Sequence, residues 1–137
     1  MIENLRGFSL MELLIALVIV GILSAIAIPT YNNYTKRAYF SEIVLAAHPY
    51  KVSVMECFVT TGDLSKCNGG KNGIPKNITK GSDAINTITT ENAIITITPS
   101  DQNGITEKDT YILTPTARNG RLKWTSSGGA VSDGLTK

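Results

Sequence analysis

Hydrophobic positions along this chain fall into three regimes. From Leu13 to Ile28 they form an almost continuous run, LLIALVIVGILSAIAI, in which only Gly21 and Ser24 are not hydrophobic. With Phe8, Leu10 and Met11 added, the run reaches the roughly 20 residues that an α-helix needs to cross a bilayer core. Further on, Ile43, Ala47, Tyr50, Val54 and Phe58 recur in steps of three and four, while Glu42, Lys51 and Glu56 fall on the other faces. That spacing predicts an amphipathic helix continuing the apolar one. A helix from about Phe8 to about Phe58 would be ~75 Å long. Gly21, Pro29 and Pro49 weaken its hydrogen-bond ladder, so gentle kinks are expected there.

The third regime is short runs rich in β-branched residues. Ile85–Thr89 and Ala93–Thr98 read as two strands joined by a turn at Glu91-Asn92, and Thr110–Thr114 and Arg121–Thr125 as two more. Asn119-Gly120, between the last two, is a strong hairpin signal. Residues 99–109 form a polar link, and 126–137 read as a surface tail. Between helix and strands, residues 59–84 form a long connection punctuated by Gly62, Gly69, Gly70, Gly73, Pro75 and Gly81. Connections of that length are usually functional or need tying down. The fold class predicted is α+β: a long N-terminal helix, transmembrane then amphipathic, packed on a four-stranded antiparallel sheet.

Composition narrows the chemistry. The 137 residues suit one domain with one modest core, and a net charge of +2 is too slight to announce a nucleic-acid partner. Cys57 and Cys67 lie ten positions apart, beyond the apolar run. If that part of the chain is exported, they meet an oxidising compartment and a disulfide is the natural reading. A zinc site is disfavoured, because His48 is the only histidine available to complete a shell. His48 precedes Pro49 on a helix with no nucleophile or carboxylate constellation near it, so it reads as a surface or packing residue. No nucleotide loop, metal-ligand pair or nucleophile motif occurs, so no cofactor and no enzymatic activity are expected. Lys66, Lys71, Lys76 and Lys80, against only Asp63 and Asp83, make the long connection basic. They read first as a solvated loop, and second as a contact for DNA or an acidic surface. Asn77-Ile78-Thr79 fits a glycosylation acceptor pattern of low specificity.

One residue breaks the apolar pattern. Glu12 is a carboxylate at the outer end of the membrane-length run, and such an acid is a functional hypothesis by default. The order of the head is also unlike a secretory signal, since a small residue, Gly7, precedes the hydrophobic part and no small-residue cleavage site follows it. Cleavage between Gly7 and Phe8 would remove the polar leader MIENLRG and leave the anchor. Arg6 favours a cytoplasmic leader, with Lys36-Arg37 competing.

The phrase R-G-F-S-L-M-E-L-L-I, the apolar helix to Pro29 and the following Tyr31 and Tyr34 resemble a type IV pilin precursor. The resemblance is strong over the first ~30 residues and looser beyond. It implies a leader at 1–7 removed by prepilin peptidase after Gly7, N-methylation of Phe8, and a role for Glu12 in assembly. It also implies a hydrophobic assembly helix at 8–29 that loses helix between Gly21 and Pro29 in the filament, and a globular domain at 30–137. The implied partners are other pilin subunits, the peptidase, the inner-membrane assembly machinery, membrane lipid before assembly, and DNA where the basic loop serves uptake. The implied location is a single pass of the bacterial inner membrane with a periplasmic C-terminal domain, then a surface pilus. The implied roles are adhesion, twitching motility and DNA uptake. Pseudopilins of type II secretion share the leader and the acid, and a minor pilin acting as DNA receptor is a further alternative. One departure stands out: many pilins close a C-terminal loop with a disulfide, whereas this chain has no cysteine after Cys67, and Ser126 stands where related sequences often carry one.

Overall fold

The computed structural model describes residues 6–137. Its contacts divide into two units, one ending at Tyr34 and the other comprising Thr35–Lys137. The first is helix alone. Helix α1 spans Leu10–Ala46, runs through Gly21 and Pro29 without interruption, and exposes nearly all its apolar side chains up to Tyr34. Pro29 has no N–H for the carbonyl of Ala25, while the Thr30 hydroxyl donates to the carbonyl of Ile26 at 3.2 Å. An 18-residue window of mean hydropathy 2.7, none of it buried, makes this helix long and apolar enough to cross a membrane.

The second unit holds the core. The single helix expected to reach Phe58 is in fact two: α1 stops at Ala46 and α2 spans His48–Thr61. Pro49 is the cause, since its ring crowds the carbonyl four residues back and it has no N–H to donate. Proline is best accommodated in the first turn of a helix, where Pro49 sits in α2. Ala47 bridges the break with near-helical φ −72° and ψ −21°, so the apolar stripe stays in phase. Phe40, Ile43, Ala47, Tyr50, Val54 and Cys57 are buried in steps of three and four. The stripe therefore ends on Cys57, with Phe58 only half-buried, rather than on Phe58 as predicted.

That stripe meets the inner face of a four-stranded antiparallel meander: β1 Ile85–Glu91, β2 Ile94–Pro99, β3 Tyr111–Arg118 and β4 Arg121–Ser127, adjacent in that order. Ile88, Ile95, Ile97, Tyr111 and Leu113 form the sheet side of the core. The Phe40 ring meets that of Tyr111 edge-to-face with centroids 6.0 Å apart. The β3–β4 hairpin turns on Asn119-Gly120 as predicted, with φ of 50° and 72°. Pro115 is tolerated inside β3 because, counted from that turn, its pairing with Trp124 falls at a non-hydrogen-bonded position. The β1–β2 turn lies one residue beyond the predicted site, on Asn92-Ala93, with φ of 48° and 67°. A left-handed alanine costs on the order of 1–3 kcal/mol. Here its side chain is fully buried and its N–H donates to the carbonyl of Cys67 at 2.8 Å.

The long connection is tied down at several points. A disulfide joins Cys57 at the end of α2 to Cys67, beyond a 3-10 turn at Leu64–Lys66, with Cα atoms 5.8 Å apart. Ile78 pairs with Ile88, Gly69 N–H donates to the Thr90 carbonyl at 2.9 Å, and Thr90 N–H donates to Asn77 Oδ1 at 2.9 Å. The loop thus covers the β1 edge, which would otherwise offer unpaired backbone groups. Breaking the disulfide with Cys57→Ser and Cys67→Ser is expected to cost ~2–3 kcal/mol by the loop-entropy estimate. A thermal melt of the full chain should show the midpoint falling by on the order of 10 °C. Amide exchange at Ala93 should accelerate in the same variant, because its acceptor belongs to the released cysteine.

Thr90 is also instructive because its hydroxyl is buried with no partner among the described residues. An orphaned hydroxyl costs about 1–3 kcal/mol, so the isosteric Thr90→Val is expected to leave stability unchanged or raise it by about 1 kcal/mol. Chemical denaturation of both proteins checks this; a loss of stability would assign the hydroxyl a partner.

The predicted C-terminal tail is instead a packed clasp. After β4 comes a short turn of helix, α3, at Gly129–Ser132, with Ala130 fully buried and Leu135 against the core. Gly128 and Gly129 make the approach feasible: a Cβ on either would collide with the backbone carbonyl of Thr110 or Lys108. The clasp covers Asp109, which is buried and accepts from Thr106 N–H at 2.8 Å. A hydrogen bond to the Asp109 carboxyl, then desolvation, then the Asp109 charge push the Asp133 carboxyl above its usual range.

Candidate functional site

The residues singled out at the head of the chain come together in one place. Ser9 caps α1: Glu12 N–H donates to Ser9 Oγ at 3.2 Å, and Leu13 N–H donates to the Ser9 carbonyl at 3.1 Å. In return Ser9 N–H and Ser9 Oγ donate to Glu12 Oε2 at 3.1 and 3.3 Å. This is a capping box, in which two otherwise orphaned donors at a helix start are satisfied reciprocally. It also places a negative charge at the positive end of the helix dipole. The Ser9-x-x-Glu12 spacing announces such a box, yet the acid alone draws the eye in an apolar run.

The box has a directional consequence. It folds the carboxylate back toward Phe8, and Arg6, Gly7, Phe8 and Glu12 line one shallow concavity. Oε2 is engaged by Ser9, whereas Oε1 has no hydrogen-bond partner among the described residues. One oxygen serves the helix itself, and the other remains available to a cation. Phe8 and Leu10 are each 87% exposed, so no described residue of this unit covers the site.

Two glycines have no spatial reason within the unit. A Cβ on Gly7 or on Gly21 would meet nothing within 4 Å, and neither has a positive φ. Tyr31 and Tyr34 are exposed and, with Leu23, Ile26, Ala27 and Thr30, border an open apolar groove on α1.

In the second unit, Lys66, Lys71, Lys76 and Lys80 are all exposed on the tied-down connection. Lys66 closes the 3-10 turn, whose N-cap Asp63 accepts from Ser65 N–H at 2.9 Å and from its hydroxyl at 2.7 Å. Those bonds, the hydroxyl's first, hold the Asp63 carboxyl below its ordinary range. Asn77 of the acceptor pattern uses its side-chain oxygen to bind Thr90. His48 is exposed at the start of α2. Among the described residues no three His, Cys, Asp or Glu side chains gather as a metal site. Residues 1–5 of the expected leader lie outside the described residues.

Comparison with known proteins agrees on both units. A family model described as the prokaryotic N-terminal methylation motif matches residues 4–28, and one described as pilin (bacterial filament) matches residues 36–136. Prepilin peptidase-dependent protein D of Escherichia coli K12 is 32% identical over 134 residues, covering 96% of this chain and 88% of that protein. The type IV major pilin protein PilE of Neisseria gonorrhoeae is 35% identical over 121 residues, covering 87% of this chain and 72% of its own. Among solved structures, the solution structure of the major type IV pilin PpdD from enterohemorrhagic Escherichia coli superposes with a TM-score of 0.56 at 24% identity. It covers 69% of this chain and 70% of that one, a likeness of fold.

Proposed function

The chain belongs to the type IV pilin family, and from that premise we propose that it is a structural subunit of a type IV pilus, polymerising through its N-terminal helix into a surface filament. The family is structural and non-enzymatic, its members polymerise with other pilin subunits, and the methylation motif implies processing by prepilin peptidase. What supports the finer reading is the Glu12 oxygen that has no partner among the described residues, beside the Gly7–Phe8 junction at the head of an exposed apolar helix.

In this reading the peptidase cuts after Gly7 and Phe8 becomes an N-methylated terminal amine. Gly7, which the folded chain does not need for space, answers to the enzyme rather than to the fold. The amine of one subunit then pairs with Glu12 of its neighbour as subunits leave the inner membrane, setting the axial register. Gly21 and Pro29 bracket the stretch of helix that unwinds on packing. Mass spectrometry of sheared surface filaments tests the first step. A chain beginning at methylated Phe8 is expected, and one retaining Met1 overturns the reading. The filament serves adhesion, twitching motility or DNA uptake.

A second reading is supported by the exposed lysines on a firmly anchored loop: contact with DNA. Replacing Lys66, Lys71, Lys76 and Lys80 with Gln should abolish salt-sensitive DNA binding and leave filaments intact. The salt slope should fall by about 0.9 for each phosphate that is no longer neutralised. Filter binding across a salt series reads this, and unchanged affinity rejects it.

A further inference from the structure

The face of the sheet turned away from the core is lined by threonines paired across strands. Thr87 pairs with Thr98, Thr89 with Thr96, and Thr114 with Thr125, all on that face. These hydroxyls have no hydrogen-bond partner among the described residues. Toward the β3–β4 hairpin the same face turns cationic: Arg118 stands directly opposite Arg121, and Lys123 opposite Thr116. All three cations are exposed, and the acid on this face, Glu91, lies on β1, with β2 between it and the cationic hairpin. Like charges directly across a strand pair destabilise it, and an Asn-Gly turn does not need arginines beside it. Their placement points outward, to an anion.

We propose that this face is a docking surface for an acidic polysaccharide. Three features favour that partner. First, neighbouring strands lie about 4.8 Å apart, close to the length of one pyranose ring. A sugar chain laid across the strands therefore meets side chains in step with its residues. One such line runs Thr89, Thr96, Ile112, Ser127, offering hydroxyls for hydroxyls and one aliphatic contact for a ring face. Second, the charge is sparse: three cations at one end of a hydroxyl field suit a polymer with separated carboxylates. Duplex DNA, with one charge per about 1.7 Å of axis, would call for cations throughout. Third, Trp124 and Tyr111 lie on the core side of the sheet, so the outer face has no aromatic platform for bases.

The test uses detergent-solubilised full-length protein on immobilised alginate, neutral dextran and duplex DNA, each at low and high salt. Alginate is expected to bind more tightly than dextran and to weaken with salt. Combined Arg118→Gln, Arg121→Gln and Lys123→Gln should weaken alginate binding by about tenfold or more. Combined Thr89→Val, Thr96→Val, Thr114→Val and Thr125→Val, which keeps shape and β-propensity, should weaken alginate binding by about tenfold and leave DNA binding unchanged. Circular dichroism confirms that both variants are folded. Alginate bound no better than dextran, alginate binding indifferent to the valines, or DNA binding weakened by the valines as much as alginate binding would each overturn the proposal, the last two marking a generic polyanion patch.

Discussion

Subunits carrying Glu12→Ala are expected to fold, insert and lose their leader, yet to build no filaments. The second unit, Thr35–Lys137, contains its own core, so its stability should not change. Within α1 the loss of one capping partner costs about 0.5–2 kcal/mol, which a long apolar helix in a membrane absorbs. Under the proposed pairing, assembly is far more sensitive, because an amine left uncompensated in a packed filament costs ~3–5 kcal/mol at every subunit. That is a factor of roughly 10² to 10³ or more in each association step. Glu12→Gln separates the two roles, since glutamine still serves a capping box but has no charge. The pairing mechanism predicts that Gln fails as Ala does. Normal filaments from Glu12→Gln, counted by electron microscopy against equal cellular levels of processed protein, would reduce Glu12 to a helix cap.

Phe40→Ala should be the most damaging single change to the folded unit. Its ring is fully buried where the helix stripe begins and stands edge-on to Tyr111. Removing a buried phenylalanine costs ~3–5 kcal/mol, set against a total stability of ~5–15 kcal/mol for a whole domain. A thermal melt of the full chain should drop by on the order of 15 °C. Tyr39→Ala is the control: this neighbour is 44% exposed and its removal should shift the midpoint little. A Phe40→Ala midpoint close to wild type would mean that helix and sheet are held together by other side chains.

Where structure is decided locally, it is legible in the residues. The apolar anchor, the amphipathic stripe and the Asn119-Gly120 hairpin all rest on spacing or on turn chemistry. The break at Ala47 is legible too, in Pro49, although a proline there fits a gentle kink as readily as a helix start. The misplacements share a cause in distant contacts. Ala93 adopts a left-handed backbone because Cys67 supplies an acceptor and the core takes its methyl group. Nothing adjacent to it in sequence says so. Gly128 and Gly129 have the composition of a surface tail but are small because Thr110 and Lys108 press on them. Hydrophobicity points to Phe58 as the stripe's last member, whereas covalent capture by Cys67 selects Cys57. At the candidate site the reverse holds: Ser9-x-x-Glu12 is wholly local, and the acid's charge masks its hydrogen bonding.

The position of the disulfide bears on how the subunit carries load. Pulled straight, the ten peptide steps between Cys57 and Cys67 would span roughly 30–35 Å; bridged, their Cα atoms stay 5.8 Å apart. Tension arriving along the helix therefore finds no slack in that segment. It passes through two sulfur atoms to the tip of the first hairpin, at the Ala93 amide. In the proposed filament, such a subunit is braced at the junction where a longer unbridged loop would extend first.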